Sequence, residues 1–308
     1  MKMAIIGSTG AVGQELKRLV QENNTDPSAL ICFDSKSSIS FDGIDLAFFC
    51  VSKEVAKELI PKAREKGVLC IDSSTAYRAD PDVPLVIPEI NGHILNQHQG
   101  IIASPNCTTT LMLLPLAPLH RRFRIKRIVA ATYQAVSGAG RGAMEELEEQ
   151  TKAVLANEVP IPNLFPYPCA FNVFPHESAM DDSGYVAEEI KMHQETRKIL
   201  DDENVSVTAT CVRVPVFRVH SIALNVEFQN PIQKEEVLEI LKKAPGVVLQ
   251  NTPIPLDAAQ QKPVFCGRIR LDHTQSNTLE MWVVGDQLLK GAALNMIQIA
   301  GRLYTEQK

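Results

Sequence analysis

A short apolar run that breaks straight into spaced glycines, with a helical face behind it, leaves a chain few ways to fold. In "MAIIGSTGAVGQELKRLV" (residues 3–20), "MAII" reads as a buried strand, and Leu16, Leu19 and Val20 share one helical face. Gly7, Gly10 and Gly13 lie in the turn between them, with Thr9, Ala11 and Val12 alongside. Glycines at such a turn let the backbone approach a pyrophosphate, which then sits on the helix N-terminus. The spacing is G-x-x-G-x-x-G rather than G-x-G-x-x-G, so a tight turn without a ligand stands as the alternative.

The same alternation continues. "DLAFFCV" is another buried strand, "KEVAKELIPKAREKG" a helix ending at Gly67, and "VLCID" and "GIIAS" are further strands. Strands alternating with helices predict βαβ units and a parallel sheet. From about Arg124 the texture changes to long β-branched runs, among them "IKRIVAATYQAV", "VSVTATCVRVPVF" and "SIALNVEFQ". Helical segments near 143–156, 186–200 and 234–243 lie between them. This predicts an α+β second domain with a mixed or antiparallel sheet. "VPIPNLFPYP" reads as a loop, "AMEELEEQT" as a solvated acidic helix, and "GAALNMIQIAGRLY" as an amphipathic helix.

At 308 residues the chain is long for one core, which favours two domains. The formal net charge of -5 and the lack of a basic block argue against nucleic acid. No run is long and apolar enough for a bilayer span, and the N-terminal run breaks into glycine too early for a signal peptide. Seven cysteines without a C-x-x-C pair argue against a zinc site or a disulfide framework, and for a reducing, cytoplasmic setting.

"SPNCTTTLMLL" raises a sharper question. The threonines and the apolar run place Cys107 at a strand-to-helix turn, near the positive end of a helix dipole, where a thiol ionises more easily. A nucleophile and a small buried turn residue both fit that position. After "ALICFD" come Ser35, Lys36, Ser37 and Ser38. A lysine among hydroxyls suits a 2′-phosphate, whereas Asp34 would suit the ribose hydroxyls of NAD. A solvated loop charge accounts for Lys36 equally well.

Seven motifs in order, "IIGSTGAVG", "IDSSTAYRADPDVPLVIPEIN", "SPNCTTT", "TYQAVSGAGRGAMEELEEQT", "EEIKMHQETRKIL", "CVRVPVFRVHS" and "WVVGDQLLKGAALN", resemble aspartate-β-semialdehyde dehydrogenases along nearly the whole chain. The resemblance implies a Rossmann-type NADP domain over 1–106 and 288–308, and an α+β catalytic and dimerisation domain over 107–287. It implies reversible conversion of L-aspartyl-4-phosphate and NADPH to aspartate semialdehyde, NADP⁺ and phosphate, in lysine, diaminopimelate, threonine and methionine synthesis. The expected assembly is a homodimer or a dimer of dimers, with no metal.

By the same resemblance, Cys107 is the nucleophile, His220 the acid/base and Gln134 the residue that orients the acyl group. Asn106 lies near substrate, Arg213 takes its carboxylate and Glu188 its ammonium, while Arg78 and Lys191 bind phosphate. Ser137, Gly138 and Gln287 join the glycine turn and Ser35–Ser37 as cofactor contacts. Read without the resemblance, Glu188 and Lys191 are an i,i+3 ion pair on a solvated helix face, and His220 is a packed or surface histidine. The chain also departs from the family. An excursion near Ser38–Phe41 is missing, a small-residue loop after "FFC" is reduced to Val51 and Ser52, and Gln287 stands for an asparagine. An N-acetylglutamyl-phosphate-type reductase and a non-catalytic nucleotide-binding homologue are the competing readings.

Overall fold

The computed structural model describes residues 2–22, 29–34 and 37–305. Its contacts divide the chain into two units, Met1–Cys107 with Gly291–Lys308, and Thr108–Lys290.

In the first unit, β1 (Met3–Ile6) leads through the glycine turn into α1 (Ala11–Glu22), followed by β2 (Leu30–Phe33), β3 (Leu46–Phe49), α2 (Lys53–Glu65) and β4 (Leu69–Asp72). A short helical turn, α3 (Pro88–Asn91), precedes β5 (Ile101–Ala103). All five strands are parallel, in the order β2-β1-β3-β4-β5. Every residue of β1 and β3 is buried, as expected for strands covered on both faces. The strand order reverses beside β1, so the glycine turn emerges at the switch point where such sheets bind ligands.

Ahead of β3, Phe41 and Ile44 pack in the core with Ala4, Ile6 and Phe49. After β3 the chain passes through Cys50 and Val51 directly to Ser52, whose hydroxyl accepts the Val55 N–H (3.4 Å) and caps α2.

Helix α4 (Cys107–Phe123) opens on Cys107, the last residue of the first unit's contiguous stretch. Its remainder belongs to the second unit and is buried almost all round, from Thr108 to Leu119. A helix this uniformly apolar belongs inside a core. It packs so closely on the sheet that a Cβ at Gly285 would lie 2.5 Å from Leu111.

The second unit continues with β6 (Ile125–Gln134), α5 (Arg141–Leu155), β7 (Phe174–Pro175), α6 (Ala187–Leu200), β8 (Ser206–Arg213), β9 (His220–Phe228) and α7 (Lys234–Lys243). Then come β10 (Val247–Leu249), α8 (Pro255–Ala258), β11 (Val264–Leu271) and β12 (Thr278–Gly285). The seven strands run β10-β11-β12-β9-β6-β8-β7. The β6–β8 and β10–β11 pairs are parallel and the others antiparallel, which makes the sheet mixed. Helix α9 (Leu294–Thr305) completes the first unit, where the Asn295 amide donates to Val86 O (2.9 Å) and Ser104 Oγ (3.0 Å). That contact fixes the segment that leads into Cys107.

One expectation is corrected. The acidic run on α5 is not all solvated, because Glu146 and Gln150 are 4% and 2% exposed. Glu146 accepts the backbone N–H groups of Asn163 (3.1 Å) and Leu164 (2.7 Å), and Gln150 accepts that of Cys169 (2.7 Å). The proline-rich loop has no strand partner for these donors, so side chains from α5 must satisfy them. Glu146→Ala is expected to cost about 2 to 4 kcal/mol, because several buried donors lose their acceptor together. Urea unfolding checks this, and unchanged stability would contradict it.

Candidate functional site

The first unit contributes bare backbone. Gly7 has φ +85° and Gly13 faces it across the turn. A Cβ at Gly7 would lie 2.3 Å from Cys50 O, and one at Gly13 would lie 2.2 Å from Gly7 O. Only glycine fits either position, so Thr9, Gly10, Ala11 and Val12 stay at the exposed or half-exposed head of α1. No acid occupies the first turn of that helix to repel a phosphate. This cradle therefore fits a dinucleotide. Ser35 and Lys36 lie outside the described residues. Ser37 Oγ donates to Asp34 Oδ1 (2.8 Å) and accepts the Asp34 N–H (3.1 Å), which engages Asp34 within its own loop.

After β4, the buried Asp72 carboxylate accepts the Ser74 N–H (2.9 Å) and hydroxyl (2.8 Å). Burial raises the pKa of that carboxyl against the pull of those bonds. Arg78 donates to Ser73 O (2.7 Å). Asn106 is 5% exposed, and Cys107, half-buried, begins α4.

The second unit gathers the other expected residues at one end of its sheet. Gln134 ends β6, Arg213 ends β8 in register with it, and His220 begins β9, one step beyond the Tyr133–Ser221 pair. Glu188 and Lys191 lie in the first turns of α6. Gln134 Nε2 donates to Glu188 Oε1 (3.3 Å), and Lys191 Nζ to Glu188 Oε2 (3.0 Å). The i,i+3 pair exists, but its carboxylate is only 7% exposed, so it is not the solvated pair the bare sequence suggests. Glu189, which sequence reasoning passed over, anchors this helix end by accepting the N–H of Val186 (3.0 Å) and of Cys211 (2.9 Å).

His220 is fully buried, and its Nδ1 accepts the Ala135 N–H (3.0 Å). The neutral ring therefore carries its proton on Nε2. That N–H has no hydrogen-bond partner among the described residues, an uncommon and costly condition for a buried donor. Burial, and secondarily Arg213, lowers the His220 pKa to about 3. Gly138 lies against the ring, and a Cβ there would come 3.2 Å from Cε1 and Nε2. Gln287 bridges the neighbouring loops, with Nε2 donating to Ser137 Oγ and Oε1 accepting the Val219 N–H (2.9 Å).

Arg213 is 2% exposed. It is held by Ala135 O (2.8 Å from Nη1), by Glu177 Oε1 (2.6 Å from Nη2) and by His176 Nε2 (3.0 Å from Nη2), with Phe165 over its plane (5.3 Å). Neither Glu177 nor Phe165 stood out in the sequence. Their partner lies dozens of positions away, and no local pattern marks them.

A parallel sheet with a glycine turn at its switch point, joined to a mixed-sheet unit with clustered acid, base and cation, defines a dinucleotide-dependent α/β protein. Residues 116–290 match the model of the semialdehyde dehydrogenase dimerisation domain, and residues 23–98 that of the semialdehyde dehydrogenase NAD-binding domain. The chain is 44% identical to the aspartate-semialdehyde dehydrogenase of Synechocystis sp. (97% of this chain and 96% of the relative). It is 43% identical to that of Aquifex aeolicus (99% and 98%). The Synechocystis alignment spans 325 positions against 308 residues here, so that relative carries residues this chain lacks. A solved structure of Vibrio cholerae aspartate semialdehyde dehydrogenase II complexed with ASA superposes with a TM-score of 0.95 at 35% identity, over 99% of this chain and 98% of that one. The chain belongs to the aspartate-semialdehyde dehydrogenase family.

The lowered pKa of His220 fixes the sign of one pH effect. Below about pH 6.5 the unfolded chain takes up a proton that the native ring refuses, so the His220 contribution falls as pH drops toward 3. Relative to His220→Asn, the wild type is expected to lose about 2 kcal/mol of unfolding free energy between pH 7.5 and 5.0. Parallel urea titrations check this, and a constant difference would contradict it.

Proposed function

We propose that the chain catalyses the reversible NADPH-dependent reductive dephosphorylation of L-aspartyl-4-phosphate to L-aspartate 4-semialdehyde through a thioester on Cys107. One observation carries this reading. The second unit clusters a carboxylate (Glu188), a lysine (Lys191), a guanidinium (Arg213) and an unpartnered imidazole N–H. These give the substrate's ammonium, phosphate, carboxylate and reacting oxygen a partner each. An N-acetylglutamyl phosphate has no free ammonium for Glu188, and a non-catalytic homologue would not need Cys107.

In the forward direction the Cys107 thiolate attacks the acyl carbon, the carbon–oxygen bond to phosphate breaks with its electron pair leaving on phosphate, and a thioester remains. Arg78 and Lys191 balance the charge of the departing phosphate. Gln134 and Asn106 orient the acyl group, and Arg213 and Glu188 fix its two ends. His220, neutral with its proton on Nε2, donates a hydrogen bond to the developing oxyanion and keeps its proton as the aldehyde forms. NADPH, when bound, supplies the hydride that takes the thioester to the aldehyde level. The glycine turn would hold its pyrophosphate, Ser35–Ser37 with Lys36 its 2′-phosphate, and Ser137, Gly138 and Gln287 its nicotinamide end.

We further infer a cytoplasmic enzyme that works as a homodimer. Val129, Ala131, Ala223, Pro253, Ile254 and Trp282 line an open hollow on the second unit's sheet, with Tyr133 exposed beside it. An apolar sheet face of this kind suits a second copy. Sedimentation equilibrium separates a dimer from a dimer of dimers, and a monomer at micromolar concentration would contradict the assignment.

Cys107→Ala is expected to lower turnover of aspartate semialdehyde with phosphate and NADP⁺ by at least about a thousandfold, as for loss of a covalent nucleophile. Its thermal midpoint and NADP⁺ affinity should stay near those of wild type. Residual turnover close to wild type would remove the thioester from the mechanism.

A further inference from the structure

The guanidinium of Arg213 has five N–H donors in a fixed fork. Glu177 takes the side-on edge, with Nε donating to Oε2 (3.3 Å) and Nη2 to Oε1 (2.6 Å). The second Nη2 hydrogen goes to His176 Nε2 (3.0 Å), and one Nη1 hydrogen to Ala135 O (2.8 Å). A single Nη1 hydrogen remains, on the side of Gly138, where a Cβ would stand 3.4 Å from that nitrogen. One hydrogen cannot make a two-point contact with another carboxylate. The edge that could make it is filled by a carboxylate of the protein itself.

Glu177 differs from the other partners in one respect. The backbone carbonyl of Ala135 is fixed by the chain, and the His176 ring is 12% exposed and held on its far side by Ser178 (3.1 Å). Glu177 is 20% exposed on a side chain with rotatable bonds, so it can swing to water without moving the backbone. Burial pushes its pKa up, but the bond to Arg213 and the charge of that group outweigh this and keep the carboxyl below its usual range. It is therefore an anion at neutral pH, competing with any anion that approaches the same fork.

We propose that Glu177 is an internal stand-in for the substrate carboxylate. It occupies the Arg213 fork in the substrate-free enzyme and is displaced by the α-carboxylate of aspartyl phosphate or aspartate semialdehyde. This rests on the reading of Arg213 as the carboxylate anchor. The stand-in keeps a buried guanidinium paired between turnovers, since an unpaired one would be strongly destabilising. The consequence is a weaker apparent affinity, because only the fraction of enzyme with the fork vacated binds substrate productively. Glu177 is thus a determinant of substrate KM that makes no contact with the reacting atoms.

Three variants of the whole enzyme test this, with aspartate semialdehyde, phosphate and NADP⁺. Glu177→Gln keeps one acceptor but removes the competing charge, and should lower the KM for aspartate semialdehyde about three- to tenfold with no fall in kcat. Glu177→Asp, one methylene shorter, should shift KM the same way by less, and serves if the amide variant does not fold. Arg213→Leu should cut kcat/KM by at least about a hundredfold, reporting on the anchor itself. If it does so while both folded Glu177 variants keep or raise KM, the stand-in is overturned and the anchor stands. If Arg213→Leu leaves kcat/KM intact, the anchor falls and the stand-in with it.

Discussion

A guanidinium that is 2% exposed must be surrounded by acceptors, and much of the second unit is arranged to supply them. Arg213 sits at the end of β8 and reaches the carbonyl after β6, the imidazole and carboxylate just after β7, and the ring of Phe165. These partners come from three different segments. Phe165 is on the proline-rich loop, and that loop is held by Glu146 and Gln150 of α5. The Ala135 that accepts from Arg213 also donates to His220 Nδ1, and so fixes which ring nitrogen carries the proton. One residue, Ala135, thus links the Arg213 guanidinium to the proton placement on His220. A change at Arg213 would be felt at the imidazole through that residue.

In the first unit, Phe41 and Ile44 are buried in the core with Ala4, Ile6 and Phe49, and Ser52 caps α2. The cap sits directly after Val51, which presses on the turn at Gly7, where a Cβ would lie 2.9 Å from Val51 Cγ1. Bare backbone and a β-branched side chain thus meet at the switch point.

Much of this was legible in the sequence because it is local. The glycine turn, the buried parallel strands and the start of α4 at Cys107 all follow from spacing and apolar runs. The acids of α5 misled for a physical reason. An E-rich helix reads as solvated unless one knows that a strandless loop nearby carries unpaired N–H groups, and the loop meets Glu146 only after folding. Glu188 and Lys191 show the same limit, since their ion pair is written in the i,i+3 spacing but its burial comes from the sheet beside it. Glu177 carries no sequence signal, because its meaning depends wholly on Arg213, 36 positions away. Ser35 and Lys36 stand as readings of the sequence alone.

The account turns on an acyl group carried by Cys107. The direct measurement is mass spectrometry of enzyme quenched after mixing with aspartate semialdehyde and NADP⁺ without phosphate. Oxidation can then proceed only as far as the acyl-enzyme. A mass increase of one aspartyl group on the peptide containing Cys107, formed together with an equimolar burst of NADPH and discharged by phosphate, is the predicted result. A stoichiometric burst with no acyl group on that peptide, or turnover that never passes through one, would contradict it.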